Sequence, residues 1–232
     1  MKLVISSSEL LKGILTVSKA IPAKSTEAIL EDYLFVLEGD KLEVTASDKE
    51  ITMKTVITVD STEEEGRFAV PARQLNDLLK ELPDQPITIS TISENQFKCA
   101  WASGESTLPY FNPDDYPESQ TTGDDANVVE FPGQSLADGI GRTLYASSDE
   151  ENRPVMNSIF FDITPNSTTL VASDLQKLTC YTADDVKAEV PCSFILNKRH
   201  AAVLKSVIGK DVENVTIKFD NKVAIFSFDN TT

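Results

Sequence analysis

The sequence matches itself at a single offset of 126 residues. Ala46-Ser47-Asp48 recurs as Ala172-Ser173-Asp174, and the same shift carries Leu10 to Leu136, Ile14 to Ile140, Leu34 to Phe160, Phe68 to Phe194, Arg73 to Arg199 and Leu78 to Leu204. Chance supplies one or two such pairs. Agreement across the chain at one unchanged shift marks a duplicated domain rather than a solenoid of short units. The chain must therefore fold as two copies of one unit, and 232 residues suit two domains of average size.

Each copy reads as α+β. In copy one a strand at Lys2 to Ile5 precedes a capping box, Ser6-x-x-Glu9, and a helix whose apolar positions Leu10, Leu11, Ile14, Val17 and Ile21 follow the helical period. Strands are predicted at Ile29 to Leu37 and Lys41 to Ala46, joined by Gly39-Asp40, and at Met53 to Val59, with the acidic run Asp60 to Gly66 as the next turn. Phe68-Ala69-Val70 leads into a second helix with Pro71 in its first turn and Leu75, Leu78, Leu79 and Leu82 as its buried stripe. Strands at Ile87 to Thr91 and Phe97 to Trp101 follow, with Trp101 in the core. Copy two repeats this order, with helices near Gln134 to Ser147 and Lys198 to Ile208. The Pro-, Asp-, Ser- and Gly-rich stretch Asn112 to Asn127 is a linker, which places the domains at 1–120 and 121–232. Copy one continues to Asp115-Tyr116-Pro117, and the matching stretch of copy two would lie beyond Thr232, so the second domain is expected to be C-terminally incomplete.

Composition removes several function classes. Hydrophobic residues at 41% and charged residues at 25% fit a folded protein. No stretch nears the roughly 20 apolar residues of a membrane span and the N-terminus is too polar for a signal peptide, so a cytoplasmic protein is expected. Cys99, Cys180 and Cys192 form neither an even set nor a C-x-x-C pair and are expected as buried thiols in strands. His200 is the one histidine, which nearly excludes histidine triads and multi-histidine metal sites. Asp124-Asp125 and Asp184-Asp185 could hold Mg²⁺ for phosphoryl chemistry, but loop Asp pairs are more often turn formers. Gly139-Ile140-Gly141 lacks the third glycine of a dinucleotide loop and fits close helix packing instead. No catalytic residue, metal or cofactor is expected.

The net charge of −16 argues against nucleic acid until its distribution is read. Acid gathers in loops. Base gathers on the helices: Lys12, Thr16 and Lys19 lie opposite the first apolar stripe, with Lys24 just beyond, and Arg73 and Lys80 do the same on the second helix. Copy two carries Arg142 on its first helix and Lys198, Arg199 and Lys205 on its second. A helix face turned away from a core is polar in any protein. Recurrence in both copies is what favours a shared anionic partner. Without interleaved aromatics or a groove-reading helix, such contacts would fall on phosphates and be sequence-independent.

With these landmarks in order, the chain resembles the bacterial DNA sliding clamp, the beta subunit of DNA polymerase III, in its first two domains. The supporting stretches are Met1-Lys2-Leu3 with Glu9-Leu10-Leu11-Lys12, Thr26-Glu27-Ala28-Ile29-Leu30, Ser47-Asp48-Lys49-Glu50, Val70-Pro71-Ala72-Arg73, Ser106 to Pro117, Arg153-Pro154-Val155-Met156-Asn157 and Ala172-Ser173-Asp174. The resemblance implies three clamp domains per chain, the third absent here, and a ring of two full-length chains whose helices face double-stranded DNA. It implies that Lys12, Lys24, Arg73, Lys198 and Arg199 face DNA and that Leu108 lies at the subunit interface. It also implies a hydrophobic cleft for the tails of the replicative polymerase, clamp loader, repair polymerases and ligase, with Met156, Ser173, Leu175, Gln176, Lys177 and Leu178 as the half from domain two. Three of these depart from the family pattern: Leu175 stands where Gly is usual, Gln176 where His is common, Lys177 where Arg is usual. The alternative is a two-domain peptide-binding adaptor that never encircles DNA.

Overall fold

Strand β1 (Lys2–Ser6) ends on Ser6, whose hydroxyl accepts the N–H of Glu9 at 3.4 Å and so caps helix α1 (Ser7–Val17). The helix buries Leu10, Gly13, Ile14 and Val17 on one side. Four of the five expected stripe positions lie in this helix, with Leu11 half-buried at its margin, whereas the fifth, Ile21, is half-buried in extended backbone beyond it, because the helix ends at Val17 and a 3-10 turn follows. In the computed structural model, which describes residues 1–22 and 24–232, the chain divides into two units: Met1–Ser119 with Asn230–Thr232, and Gln120–Asp229.

In the first unit a short 3-10 turn, Ala28–Glu31, leads into β2 (Asp32–Glu38), followed by β3 (Lys41–Ser47), β4 (Thr52–Thr58), β5 (Ser61–Glu64), β6 (Gly66–Pro71), helix α2 (Ala72–Lys80), β7 (Pro86–Ser93), β8 (Gln96–Trp101) and β9 (Gly104–Pro109). These make two antiparallel sheets, ordered β5-β1-β7-β8-β9 and β4-β3-β2-β6. Alternating side chains fill the space between them. Phe68 of β6 lies with its ring 5.7 Å from that of Phe35 and 5.4 Å from that of Phe97, tying the sheets together. Tyr33 links both helices to β2: its hydroxyl donates to the Ile14 carbonyl at 3.2 Å and accepts from the Asn76 amide at 3.0 Å.

The second unit contains β10 (Asn127–Pro132), α3 (Gly133–Thr143), β11 (Ser158–Ile163), β12 (Thr168–Ser173), β13 (Leu178–Ala183), β14 (Cys192–Asn197), α4 (Lys198–Val207), β15 (Asn214–Phe219) and β16 (Ala224–Ser227). Its sheets run β10-β15-β16 and β13-β12-β11-β14. Helix α3 and strand β14 begin and end 126 residues after α1 and β6. The aromatic pair recurs too, with Phe161 and Phe194 stacked at 4.5 Å.

Glycine sets how near each first helix can come to its sheet. A Cβ on Gly13 would lie 2.4 Å from Ile57 Cδ1 of β4, and one on its counterpart Gly139 would lie 3.0 Å from Leu170 and Tyr181. Gly139 is thus a packing glycine.

Several expectations shift. The acidic run after β4 is not wholly a turn, because Ser61–Glu64 pairs with β1 as a strand. Backbone hydrogen bonding selects it, since three of its four side chains stay exposed. Pro71 is the N-cap residue of α2 and closes β6. Leu75 and Leu79 are buried while Leu78 and Leu82 are only half-buried. Only Cys99 is a buried thiol; Cys192 is half-buried and Cys180 exposed, because β13 lies at a sheet edge. Trp101 is half-buried beside Gly104 rather than in the core.

The start of the expected linker is a strap across the first unit. Phe111 exchanges backbone hydrogen bonds with Ala69 of β6 at 2.8 and 3.1 Å, and the buried Tyr116 donates its hydroxyl to the carbonyls of Asp32 and Thr45 at 3.3 Å. Beneath it Asp32 is 5% exposed. Burial, aided by the charge of Glu31, pushes its carboxyl up to about 6. Because the folded value lies above the unfolded one of 3.8, Asp32 costs nothing at low pH and increasingly destabilises the fold as pH rises through about 6. Asp32→Asn should therefore be more stable than the wild type by a margin that grows between about pH 4 and pH 6, reaches no more than about 3 kcal/mol and then levels. Urea midpoints of the two proteins across that range measure it; a constant margin would reject this account of Asp32.

Candidate nucleic-acid interface and peptide surface

Pinning the apolar side of a helix to a sheet leaves its opposite side outward, and the basic residues follow that rule. Lys12 on α1 is exposed, as are Lys19 in the 3-10 turn Ser18–Ala20 and Lys24 beyond it. Thr16 is half-buried and returns its hydroxyl to the Lys12 carbonyl at 3.1 Å. Helix α1 packs on α2, where Arg73 near the start and Lys80 at the end are both exposed. In the second unit α3 packs on α4 in the same way. Arg142 is exposed on α3, its guanidinium 5.9 Å from the Tyr181 ring centroid, a cation–π approach. Lys205 of α4 lies across Gly141, its Nζ 3.0 Å from where a Cβ would stand.

The beginning of α4 is more constrained. Asn197 caps it by accepting the Arg199 N–H at 2.8 Å. Lys198 folds back, donating to the Ser147 carbonyl at 3.0 Å and to Asp149 at 2.7 Å, so its charge already has an anionic partner within the chain. That contact holds the Asp149 carboxyl below the usual range. Arg199 is exposed next to it. Arg73 and Arg199 occupy the second position of α2 and α4, where the helix dipole disfavours cations by about 0.3–1 kcal/mol. Helix stability alone would not place an arginine there twice.

The residues expected at the peptide cleft fall mainly on one hairpin. Ser173 ends β12, Leu178 begins β13, and Asp174–Lys177 turn between them. Asp174 organises the turn by accepting the N–H groups of Gln176 and Lys177 at 3.0 and 2.9 Å and pairing with the Lys177 ammonium. That side-chain bond first, and the backbone donors after it, hold its carboxyl near 2. Ser173 accepts the Leu175 N–H at 3.2 Å and donates to the Lys177 carbonyl at 2.9 Å. The turn presents Leu175 and Leu178 two-thirds exposed, with Gln176 and Lys177 exposed between them. Met156 is half-buried in a turn before β11, where its carbonyl accepts the Ser148 N–H at 2.8 Å, and the neighbouring Val155 is exposed. Leu108 on the outer strand β9 is half-buried opposite Phe97.

Two features escaped prediction. Leu175 has φ of 74°, the left-handed region that glycine adopts most readily. Its repeat counterpart Lys49 has φ of 78°, in a turn that Asp48 organises through Glu50 and Ile51 in the same way. The repeated Ser-Asp pair was the available signal. The second feature is the Lys198–Asp149 pair, which joins loop and helix 49 residues apart and leaves no local pattern. Among the described residues no three His, Cys, Asp or Glu side chains gather as a metal site, and no described helix is long and apolar enough to cross a membrane.

Two helices on antiparallel sheets, twice over in one chain, define a DNA-clamp fold of the α+β class. Residues 1–120 match the family described as DNA polymerase III beta subunit, N-terminal domain. The chain belongs to that family. It is 29% identical over 187 residues to the beta sliding clamp of Halalkalibacterium halodurans, covering 77% of this chain and 48% of that one. It is 28% identical over 222 residues to the beta sliding clamp of Staphylococcus aureus, covering 91% and 58%. The solved DNA polymerase sliding clamp of Bacillus subtilis superposes over 100% of this chain and 63% of its own with a TM-score of 0.92 at 21% identity, which supports the fold. The chain thus spans roughly half to three-fifths of these relatives.

A non-glycine residue in the left-handed region costs about 1 kcal/mol. Leu175→Gly should accordingly raise stability by about that amount, measured by urea denaturation, while Val171→Gly in the adjoining strand should lower it. A loss at position 175 would contradict the strain.

Proposed function

We propose that this chain is the DNA-facing and partner-binding part of a sliding clamp, a non-catalytic processivity factor that works in the cytoplasm. As a full-length homodimeric ring it encircles double-stranded DNA and tethers the replicative polymerase, the clamp loader, repair polymerases and ligase. The observation that carries the reading is the recurrence of exposed basic residues on the helices of both copies in a chain of net charge −16. An acidic body repels DNA from most approaches and admits it along the basic helices. Lys12, Lys24, Arg73, Arg142, Arg199 and Lys205 would meet phosphates without reading bases, and Lys198 would do so by exchanging Asp149 for a phosphate. Few, exposed and flexible cations give loose binding, as sliding requires. The Ser173–Leu178 hairpin with Met156 is the portion of the peptide cleft within this chain, and Leu108 belongs to the subunit contact.

Three experiments test these assignments separately. The ring, assembled from the parent protein by a clamp loader on circular duplex, should persist through gel filtration and be lost after linearisation. Equal retention on both forms would leave the peptide-binding adaptor as the better reading. Combining Lys12→Glu, Arg73→Glu and Arg199→Glu should weaken binding of the present chain to a random-sequence duplex at least tenfold at low salt, with the difference shrinking as salt rises. For the cleft, Met156→Ala with Leu178→Ala should weaken a short hydrophobic polymerase-tail peptide at least fivefold, read by fluorescence anisotropy; unchanged affinity would reject the placement.

A further inference from the structure

Asp32 is a buried acid with nothing to hold its charge. It lies on the side of β2 opposite Tyr33 and the helices, opposite Pro71 of β6 and on the same face as Thr45 of β3, and the strap of residues 111–116 covers it. Its carboxyl has no hydrogen-bond or ion-pair partner among the described residues, and the buried Thr45 hydroxyl has no hydrogen-bond partner there either. The charged groups around it offer no compensation. Glu31, its neighbour in the chain, is itself an acid. On β3 and β4, Glu43 and Lys54 pair with each other at 3.2 Å. On β6, Arg67 is engaged with Asp114 of the strap at 3.4 Å and with the Pro113 carbonyl at 3.2 Å. The strap adds the Tyr116 hydroxyl and the exposed Asp114 and Asp115, and no cation. Burial first, and Glu31 second, raise the Asp32 carboxyl to about 6, so at neutral pH the closed strap covers a charge.

We propose that the strap is a proton-controlled latch: neutral Asp32 lets it stay seated, and ionised Asp32 releases it while the sheets beneath remain folded. Strand β2 is bonded on both sides, to β3 and to β6, and cannot move alone. The strap is held by the Phe111–Ala69 pair, the Arg67 contacts and the Tyr116 hydroxyl, and Tyr116 is its one buried side chain. Lifting it is therefore the smaller opening that brings water to the carboxylate. Because the covered value lies above the open one of 3.8, the closed form is favoured at low pH, loses ground as pH rises through about 6 and then levels. Release also frees chain between the two units. The first tie moves back from Tyr116 to Tyr110, whose N–H donates to the Asn95 carbonyl at 3.0 Å, while the Gly123 N–H stays on Asp220 at 2.9 Å. The run between ties grows from 117–122 to 111–122. The second copy carries Ser158 at the equivalent position and has no acid to ionise there. The latch rests on the first unit alone, independently of the DNA reading.

Amide hydrogen exchange of the 232-residue chain, with each rate divided by the intrinsic rate at that pH, reads the opening at single residues. Between about pH 4.5 and about pH 7 the opening constants at the Phe111 and Ala69 amides, which close the strap, should rise at least about tenfold. At about pH 7 they should also exceed those at Phe35 and Phe68, paired deeper in the same unit, by at least about tenfold. Asp32→Asn should abolish the rise at Phe111 and Ala69. Asp32→Ser, which borrows the residue of the second copy, should do the same and serves as the test if the first variant loses its native circular dichroism. A pH-independent opening constant at Phe111 and Ala69 overturns the latch. So does equal opening at all four amides, which means that the unit unfolds as a whole, or a rise that persists in a folded Asp32 variant.

Discussion

Everything outward-facing on this molecule depends on how closely each first helix lies on its sheet. At Gly13 the absence of a side chain lets α1 approach Ile57 so closely that a Cβ would force a shift, and at Gly139 it lets α3 approach Leu170 and Tyr181, where a Cβ would be crowded at 3.0 Å. The approach seals Leu10 and Ile14, and Leu136 and Ile140, at zero exposure. A helix fixed in position and rotation by its buried stripe has no freedom in what it shows on the other side. The placement of Lys12 and Arg142 is therefore a consequence of core packing.

Much of this was legible in the sequence because duplication and periodicity reinforce each other. Helices α1 and α3, like strands β6 and β14, keep the 126-residue spacing because the same apolar positions face the same kind of core. Strand β5 was not legible. Its side chains are mostly exposed and acidic, so no alternation reports it, and only pairing with β1 defines it. The strap was read as linker for a related reason: Pro113, Asp114 and Asp115 are turn residues, while the docking of Tyr116 depends on carbonyls presented 71 and 84 residues away. Among the site residues, exposure of the basic positions could be foreseen from helical phase. The left-handed backbone at Leu175 could have been inferred from the repeated Ser-Asp turn, whereas the partner of Lys198 could not, because long-range ion pairs follow from tertiary placement.

The two copies have also diverged in what covers their four-stranded sheets. In the first unit the strap shields Ala69, Thr45 and Asp32, which are all buried. Of their counterparts in the second unit Ser158 is buried, but Ile195 is exposed and Val171 half-buried, and with the exposed Phe160 and Cys180 these two form a row across all four strands. The same architecture thus carries a sealed outer face in one unit and an apolar one in the other. The hairpin bearing Leu175 and Leu178 extends from that apolar face, so the two exposed leucines continue a larger hydrophobic surface.

Under the proposed DNA contact, the Lys198–Asp149 pair would have a kinetic consequence. A carboxylate tethered beside an ammonium is present at high effective concentration, so it competes with any phosphate that arrives and recaptures the lysine as the phosphate departs. Exchange of one anion for another releases fewer counterions than capture by a bare cation and lowers the barrier to letting go. If Lys198 meets DNA as proposed, Asp149 would stand in at this position for the DNA backbone. A duplex moving past would meet a contact that hands it on with little friction.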